Sequence, residues 1–131
     1  MAFGETTSPE IERVAMEVVD AAFKVHKVTG PGLLESIYEK LLCIELAKRG
    51  LVVQRQARVP LFYDGQEVDC DLRIDLIVND LVIVEVKAVS EIHPIHKSQV
   101  KTYLKLANKR LGILINFNVE YIKDGINRII H

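Results

Sequence analysis

Cysteine is almost missing from this chain of 131 residues: Cys43 and Cys70 stand alone, with no C-x-x-C spacing between them. That excludes a disulfide framework and offers no zinc site, so both read as buried free thiols of a reducing compartment. Net charge is missing too, since 17 Lys and Arg meet 18 Asp and Glu for a balance of −1. A disordered charged tail and a histone-like wrapper of nucleic acid are excluded, while a local basic patch on one face stays compatible. With 7 Gly and 4 Pro the chain is neither collagen-like nor low-complexity. No apolar run approaches the roughly 18 residues of a membrane span. Residues 1–9 lack the charged start and apolar stretch of a signal peptide. A cytoplasmic protein without membrane contact is expected.

What is present is 49% hydrophobic and 27% charged residues, with no repeat, linker or low-complexity segment. This predicts one globular domain over residues 1–131, with 1–8 flexible. Ser8 before Pro9 marks a helix start, or Thr7 and Glu10 form a capping box. Ile11, Val14, Ala15, Val18, Ala22 and Val25 then recur at helical spacing until Gly30-Pro31-Gly32. A second helix is expected from Leu33 to Arg49, with Leu34, Ile37, Tyr38, Leu41 and Ile44 inward and Gly50 as its cap.

The period then changes. Leu51–Gln56, Val59–Tyr63, Glu67–Val78 and Leu81–Val86 read as an antiparallel meander, punctuated by Asp64-Gly65 and Asn79-Asp80. Leu81–Val84 is continuously apolar, which predicts a central strand covered on both faces. A helix over His96–Lys109, a strand over Leu111–Phe117 and a polar hairpin at Asp124-Gly125 complete the order. The fold class is α/β with a mixed sheet: helical hairpin, antiparallel strands, helix, strand and terminal hairpin.

Asp75, Glu85 and Lys87 interrupt otherwise apolar strands. Burying a carboxylate in such a sheet is costly unless it is paired or binds a metal. Glu85 and Lys87 share a face because side chains alternate along a strand. Two carboxylates and an ammonium at one point suit a hard divalent cation, with the lysine beside the water it binds. Register tests the idea. A two-residue turn at Asn79-Asp80 would set Asp75 against Val84 and turn Glu85 to the opposite face. An odd-length connection or a bulge sets Asp75 across from Glu85, and that is the expectation. The competing arrangement is a Glu85–Lys87 salt bridge with Arg73 neutralising Asp75.

The order D…E-x-K, after one helix and before another, resembles the PD-(D/E)XK nuclease superfamily. More closely, Gly32-Leu33-Leu34-Glu35-Ser36-Ile37-Tyr38 looks like the signature of the family named GxxExxY. The likeness continues through Arg73-Ile74-Asp75, Glu85-Val86-Lys87, Gln99-Val100-Lys101-Thr102-Tyr103 and Gly112–Phe117, and spans about Val14 to Ile130. It implies a restriction-endonuclease-like core. Asp75, Glu85 and the Val86 carbonyl match the ligands of Mg²⁺, or Mn²⁺ in its place. Lys87 matches the lysine that activates water and counters charge on the phosphate, and Glu35 the helix-borne acid that supports the site. Gln99 and Tyr103 match the Q-x-x-x-Y element of exonuclease-like members. No proline precedes Asp75, a departure common in the superfamily.

Plainer roles are available for several of these residues. Glu35 sits in the first turn of its helix, where a carboxylate suits the dipole. Tyr38 fits a core position with its hydroxyl bonded. Gln99 and Tyr103 are one helical turn apart and so neighbours. His93 and His96 flank Pro94 with no third ligand at an obvious spacing, and His26 is expected to meet the last carbonyls of its helix. Lys97, Lys101, Lys105 and Lys109 form a stripe nearly opposite the Gln99/Tyr103 edge, which reads as a solvated face.

The expected function is a Mg²⁺-dependent nuclease, a phosphodiesterase on DNA and less readily on RNA. The alternative is a non-catalytic nucleic-acid-associated or protein-assembly module that keeps the fold. So small a domain has little substrate-binding surface, which leaves room for a homodimer or a partner protein.

Overall fold

Ser8 and Pro9 open the first helix in the computed structural model, which describes residues 6–131. Of the stretch expected to be flexible, residues 1–5 lie outside the described residues. Ser8 Oγ accepts the Ile11 N–H at 3.3 Å, and Thr7 donates its N–H and hydroxyl to Glu12 at 2.7 and 2.6 Å. Helix α1 (Pro9–Thr29) ends at Gly30, whose φ of +69° carries its N–H back onto the His26 carbonyl. His26 itself reaches elsewhere than expected: its Nε2 meets the Val119 carbonyl at 2.8 Å, since the ring is buried against the far end of the chain.

Helix α2 (Glu35–Lys48) is latched to α1 by Tyr38. The Tyr38 hydroxyl donates to the Gly30 carbonyl at 2.6 Å and accepts the Leu33 N–H at 3.1 Å, while its ring stacks on Phe117 at 4.5 Å. Burying Tyr38 fixes the rotation of α2. Leu42 and Leu46, four and eight residues on, turn inward with Glu39 and Glu45, and Leu34, Ile37 and Ile44 are left exposed. This corrects the inward face expected of this helix.

The sheet runs β1 (Val53–Arg58), β4 (Arg73–Val78), β5 (Val82–Lys87), β6 (Leu111–Asn116), β7 (Ile126–Ile130), with only the β5–β6 pair parallel. Helix α3 (Pro94–Ala107) makes the crossover between those two strands. Strand β5 is the central strand, buried from Val82 to Val86 as its apolar run predicts. Helices α1 and α2 cover one face of the sheet and α3 the other.

The expected meander is broken. β2 (Leu61–Tyr63) and β3 (Gln66–Val68) form a separate two-stranded hairpin, and β1 pairs directly with β4. Pro60 has no N–H to continue the ladder, and the Val59 N–H goes instead to the Leu72 carbonyl at 2.9 Å. At the end of the chain the expected hairpin forms through a 3₁₀ turn at Ile122–Gly125. Cys43 and Cys70 are free and half-buried. Among the described residues, no helix is long and apolar enough to cross a membrane.

Gly112 marks where α3 sits closest to the sheet, since a Cβ there would lie 2.6 Å from Val100 Cγ1. Gly112→Ala is expected to lose about 1–3 kcal/mol by overpacking, read from urea unfolding. At the other face, the Arg128 guanidinium and then the Thr7 hydroxyl hold the Glu12 carboxyl at about 2, below its ordinary 4.5. A lowered acid stabilises the fold above its unfolded value and loses that contribution as pH falls. Glu12→Gln is therefore expected to flatten the fall in stability between about pH 4.5 and 2, measured by acid titration of the unfolding transition.

Candidate active site

The connection between β4 and β5 sets the geometry of the site. Val78 pairs with Val82, which leaves the odd-length connection Asn79–Leu81, and Asn79 and Asp80 both take positive φ, +51° and +56°. Asn79 also clamps the start of β1, accepting the Val52 N–H at its side chain and donating its own N–H to the Val52 carbonyl, each at 2.8 Å. The paired residues run to Leu76–Val84 and stop. Carried one step further, this register sets Asp75 across from Glu85. That is the alignment the odd-length connection was expected to give.

At that point the strands part. A continued ladder would set Val86 against Ile74, but the Val86 N–H donates to Asp75 Oδ2 at 2.9 Å instead. A strand residue's N–H and carbonyl leave on the same side when it pairs, so the Val86 carbonyl also lies on the Asp75 side. Strands β1 and β4 both change faces here. Val53, Leu76 and Val78 pack under α1 and α2, whereas Ala57 and Ile74 pack under α3. In unbroken strands these even spacings would keep one face. The change falls at Gln56 and Asp75, the one position skipped between Arg55–Leu76 and Ala57–Ile74 in the β1–β4 pairing. Gln56 carries a φ of +52°.

Glu85 is 4% exposed, and its Oε1 is buried without a hydrogen-bond partner. Burial first, and then the Asp75 carboxyl beside it, push Glu85 up to about 9, against the opposing charge of Lys87. Without a cation the group therefore holds its proton at neutral pH. Burial, followed by the charges of Glu85 and Asp75, also raises the Tyr103 hydroxyl. Tyr103 accepts a hydrogen bond from Gln99 Nε2 at 3.2 Å, as one-turn neighbours should. Lys87, Gln99, Thr102 and Tyr103 line a groove of about 510 Å³ with Ile95, His96 and Ser98. None of the striped lysines lines it, which agrees with a solvated face. Larger grooves, of about 800 and 530 Å³, run along α1 and touch none of Asp75, Glu85 or Lys87.

The other expected residues sort cleanly. Glu35 is exposed at the start of α2, where its Oε2 accepts the Ala88 N–H at 3.4 Å, so it reaches the backbone next to Lys87 rather than the carboxylates. Arg73 does not neutralise Asp75. It pairs with Asp71 at 2.8 Å and donates to the Gln56 carbonyl at 3.3 Å, while both Asp75 oxygens accept other donors, Gln56 Nε2 and the Val86 N–H. No Glu85–Lys87 ion pair forms among the described residues. His93 and His96 bond each other's helix start, the His93 N–H donating to His96 Nδ1 at 3.0 Å.

Two residues join the site that the motifs do not mark. Glu39 is buried on α2; its Oε2 accepts Arg55 Nε at 2.6 Å, and its Oε1 accepts Gln56 Nε2 at 2.8 Å. The same Gln56 nitrogen donates to Asp75 Oδ1 at 3.3 Å. Glu39 lies four residues beyond Glu35, a helical spacing that could have drawn attention to it. Gln56 had no such signal.

The residues gathered here fit a cation chemically. An orphaned buried oxygen on Glu85, beside a second carboxylate, is a donor set for a hard divalent ion. Among the described residues no group of three or more His, Cys, Asp and Glu that could hold a metal ion is found, and Asp75 and Glu85 are the two carboxyls side by side here. Mg²⁺ commonly binds through one or two carboxylates and keeps several waters.

Five strands of mixed direction between two helical layers are consistent with a restriction-endonuclease-like fold. The chain belongs to the PD-(D/E)XK nuclease superfamily, whose family model matches residues 12–129. No curated protein and no solved structure matches it.

A carboxyl whose folded value is raised favours the fold most below its unfolded value and loses that contribution as pH climbs. Metal-free protein is thus expected to lose stability steadily between about pH 4.5 and 9, and Glu85→Gln to remove much of that slope, read from denaturant melts across the range.

Proposed function

We propose that this chain is a divalent-metal-dependent phosphodiesterase that cleaves DNA, and RNA less readily. The observation that carries the reading is the unpartnered, buried Glu85 oxygen set beside Asp75. Mg²⁺ or Mn²⁺, when bound, supplies Lewis-acid polarisation of a phosphate oxygen and lowers the pKa of water. Asp75 and Glu85 would hold the ion, and the Val86 carbonyl would add a third oxygen from the same side of β5. Glu85, which holds a proton in the metal-free protein, would release it on ligating the ion.

Lys87 lines the groove together with Gln99 and Tyr103. Its ammonium offsets charge growing on the phosphate oxygens and steers the attacking water. Gln99 and Tyr103 line the same groove, where the Tyr103 hydroxyl and the Gln99 amide orient the nucleic-acid strand. Glu35 steadies the backbone after Lys87 through the Ala88 N–H. Arg73, turned to Asp71 and the Gln56 carbonyl, braces the strand edge beside Asp75. The narrower likeness to the GxxExxY family belongs with this reading, since Glu35 and Tyr38 stand at its marked positions.

A second reading, a module that keeps the fold without catalysis, draws on the small number of acidic ligands. Thermal melts with Mn²⁺ and cleavage assays on single- and double-stranded DNA and RNA separate the two. A preformed site is stabilised by mass action, by about 2.7 kcal/mol at one hundred times Kd. The nuclease reading expects that shift in the wild type and its loss in Asp75→Asn. Lys87→Ala is expected to keep the shift and cut cleavage about 100-fold or more. A Mn²⁺ shift without cleavage of any strand form would select the non-catalytic module.

A further inference from the structure

Among the described residues five non-glycine residues take positive φ, and four of them are Asp or Asn: Asp64, Asn79, Asp80 and Asn108. Asp and Asn tolerate the left-handed region through short local hydrogen bonds, and here they occupy turns and a helix end. Gln56 is the fifth, in the middle of β1, and its longer side chain gives no such local help. Something outside its own backbone must hold it there. An observed outlier of this kind licenses a functional hypothesis, provided its surroundings name the function.

They do so through the carboxamide. Its nitrogen donates to Glu39 Oε1 at 2.8 Å and to Asp75 Oδ1 at 3.3 Å, joining α2 and β4 across β1. Asp75 Oδ2 takes the Val86 N–H at 2.9 Å. Two donors, one on each oxygen, fix the plane of the Asp75 carboxylate. The left-handed turn at Gln56 is also where β1 changes faces, and without it the side chain would be aimed elsewhere.

We propose that Gln56 is a positioning residue: its carboxamide, aimed by a left-handed backbone and backed by Glu39, holds the Asp75 carboxylate in the orientation that captures a divalent cation with Glu85. The proposal rests on the metal-dependent reading above, and its test keeps the two apart. Partners of metal ligands of this kind typically govern affinity by 10–100-fold.

Gln56→Gly separates the two duties of the residue. Glycine adopts the left-handed backbone without penalty, so the face change survives while the carboxamide is lost. Mn²⁺ is titrated into wild type and variant, the free ion is followed by electron paramagnetic resonance, and metal-free melts are run alongside. The expected result is a metal-free Tm at or above that of the wild type, with Mn²⁺ affinity about 10–100-fold weaker. Gln56→Asn tolerates the same backbone but is one methylene short of Asp75, and is expected to weaken Mn²⁺ binding in the same way. Wild-type binding with Gln56→Gly within about twofold of it would overturn the positioning role and leave the metal-dependent reading standing. Weaker binding accompanied by a lowered metal-free Tm would also overturn it, since the residue would then be structural. Absence of Mn²⁺ binding by the wild type would overturn the metal-dependent reading, and this proposal with it.

Discussion

A side-chain carboxylate stands where the β4–β5 ladder calls for a backbone carbonyl. Asp75 accepts the Val86 N–H, and so the two strands can part without leaving that donor unsatisfied in the sheet. Everything distinctive about the site follows from this substitution. The parting lets β1 and β4 change faces together, and it leaves the Val86 carbonyl beside Asp75. It also keeps Glu85 in the dry middle of the sheet, next to an acid rather than a neighbouring ladder. A conventional hydrogen-bonded pair here would have made a stronger sheet and no site.

The central strand pays for that arrangement in electrostatics. Glu85 is enclosed by a strand of valines, and its nearest charged neighbours are an acid that repels its ionised form and a lysine that favours it. The scaffold around it is correspondingly stiff. Tyr38 seals the corner between α1 and α2 against Phe117, immediately after β6, and α3 is pressed onto Gly112. Rigid elements on three sides suit a centre in which ligand geometry matters more than motion. The near-zero net charge is compatible with the proposed function, in which a phosphate would be met at one point rather than by a broad basic surface.

Much of this was open to inference from residues alone, and what was hidden had a physical reason. Asp75, Glu85 and Lys87 stood out because charge inside valine-rich strands is expensive, and the parity of the Asn79–Leu81 connection followed from asking which register joins them. The central place of β5 followed from its unbroken apolar run. The inward face of α2 was not readable, because apolar side chains surround that helix and only the burial of Tyr38 selects the rotation. Arg73 was assigned to the wrong acid because Asp71 and Asp75 are equally close in sequence and both Asp75 oxygens are already taken, by Gln56 and the Val86 N–H. Gln56 was hidden most deeply. Glutamine carries no preference for a left-handed backbone, so no composition or spacing rule could report it. Glu39 became visible only once Gln56 was seen to join it to Asp75.

The β2–β3 hairpin bears on how such a chain changes over time. It forms its own small sheet, while β1 and β4 close on each other across the gap that Val59 and Leu72 seal. Lengthening a loop of this kind raises its closure entropy only slowly, by about 0.6 kcal/mol for each doubling. Residues 60–70 can therefore be extended, trimmed or exchanged while Gln56 stays level with Asp75. The fold thus divides the chain into a tract free to vary in length and a register that has to be kept. The variable tract springs from the strand ends nearest the acids, where new surface would meet whatever the site binds.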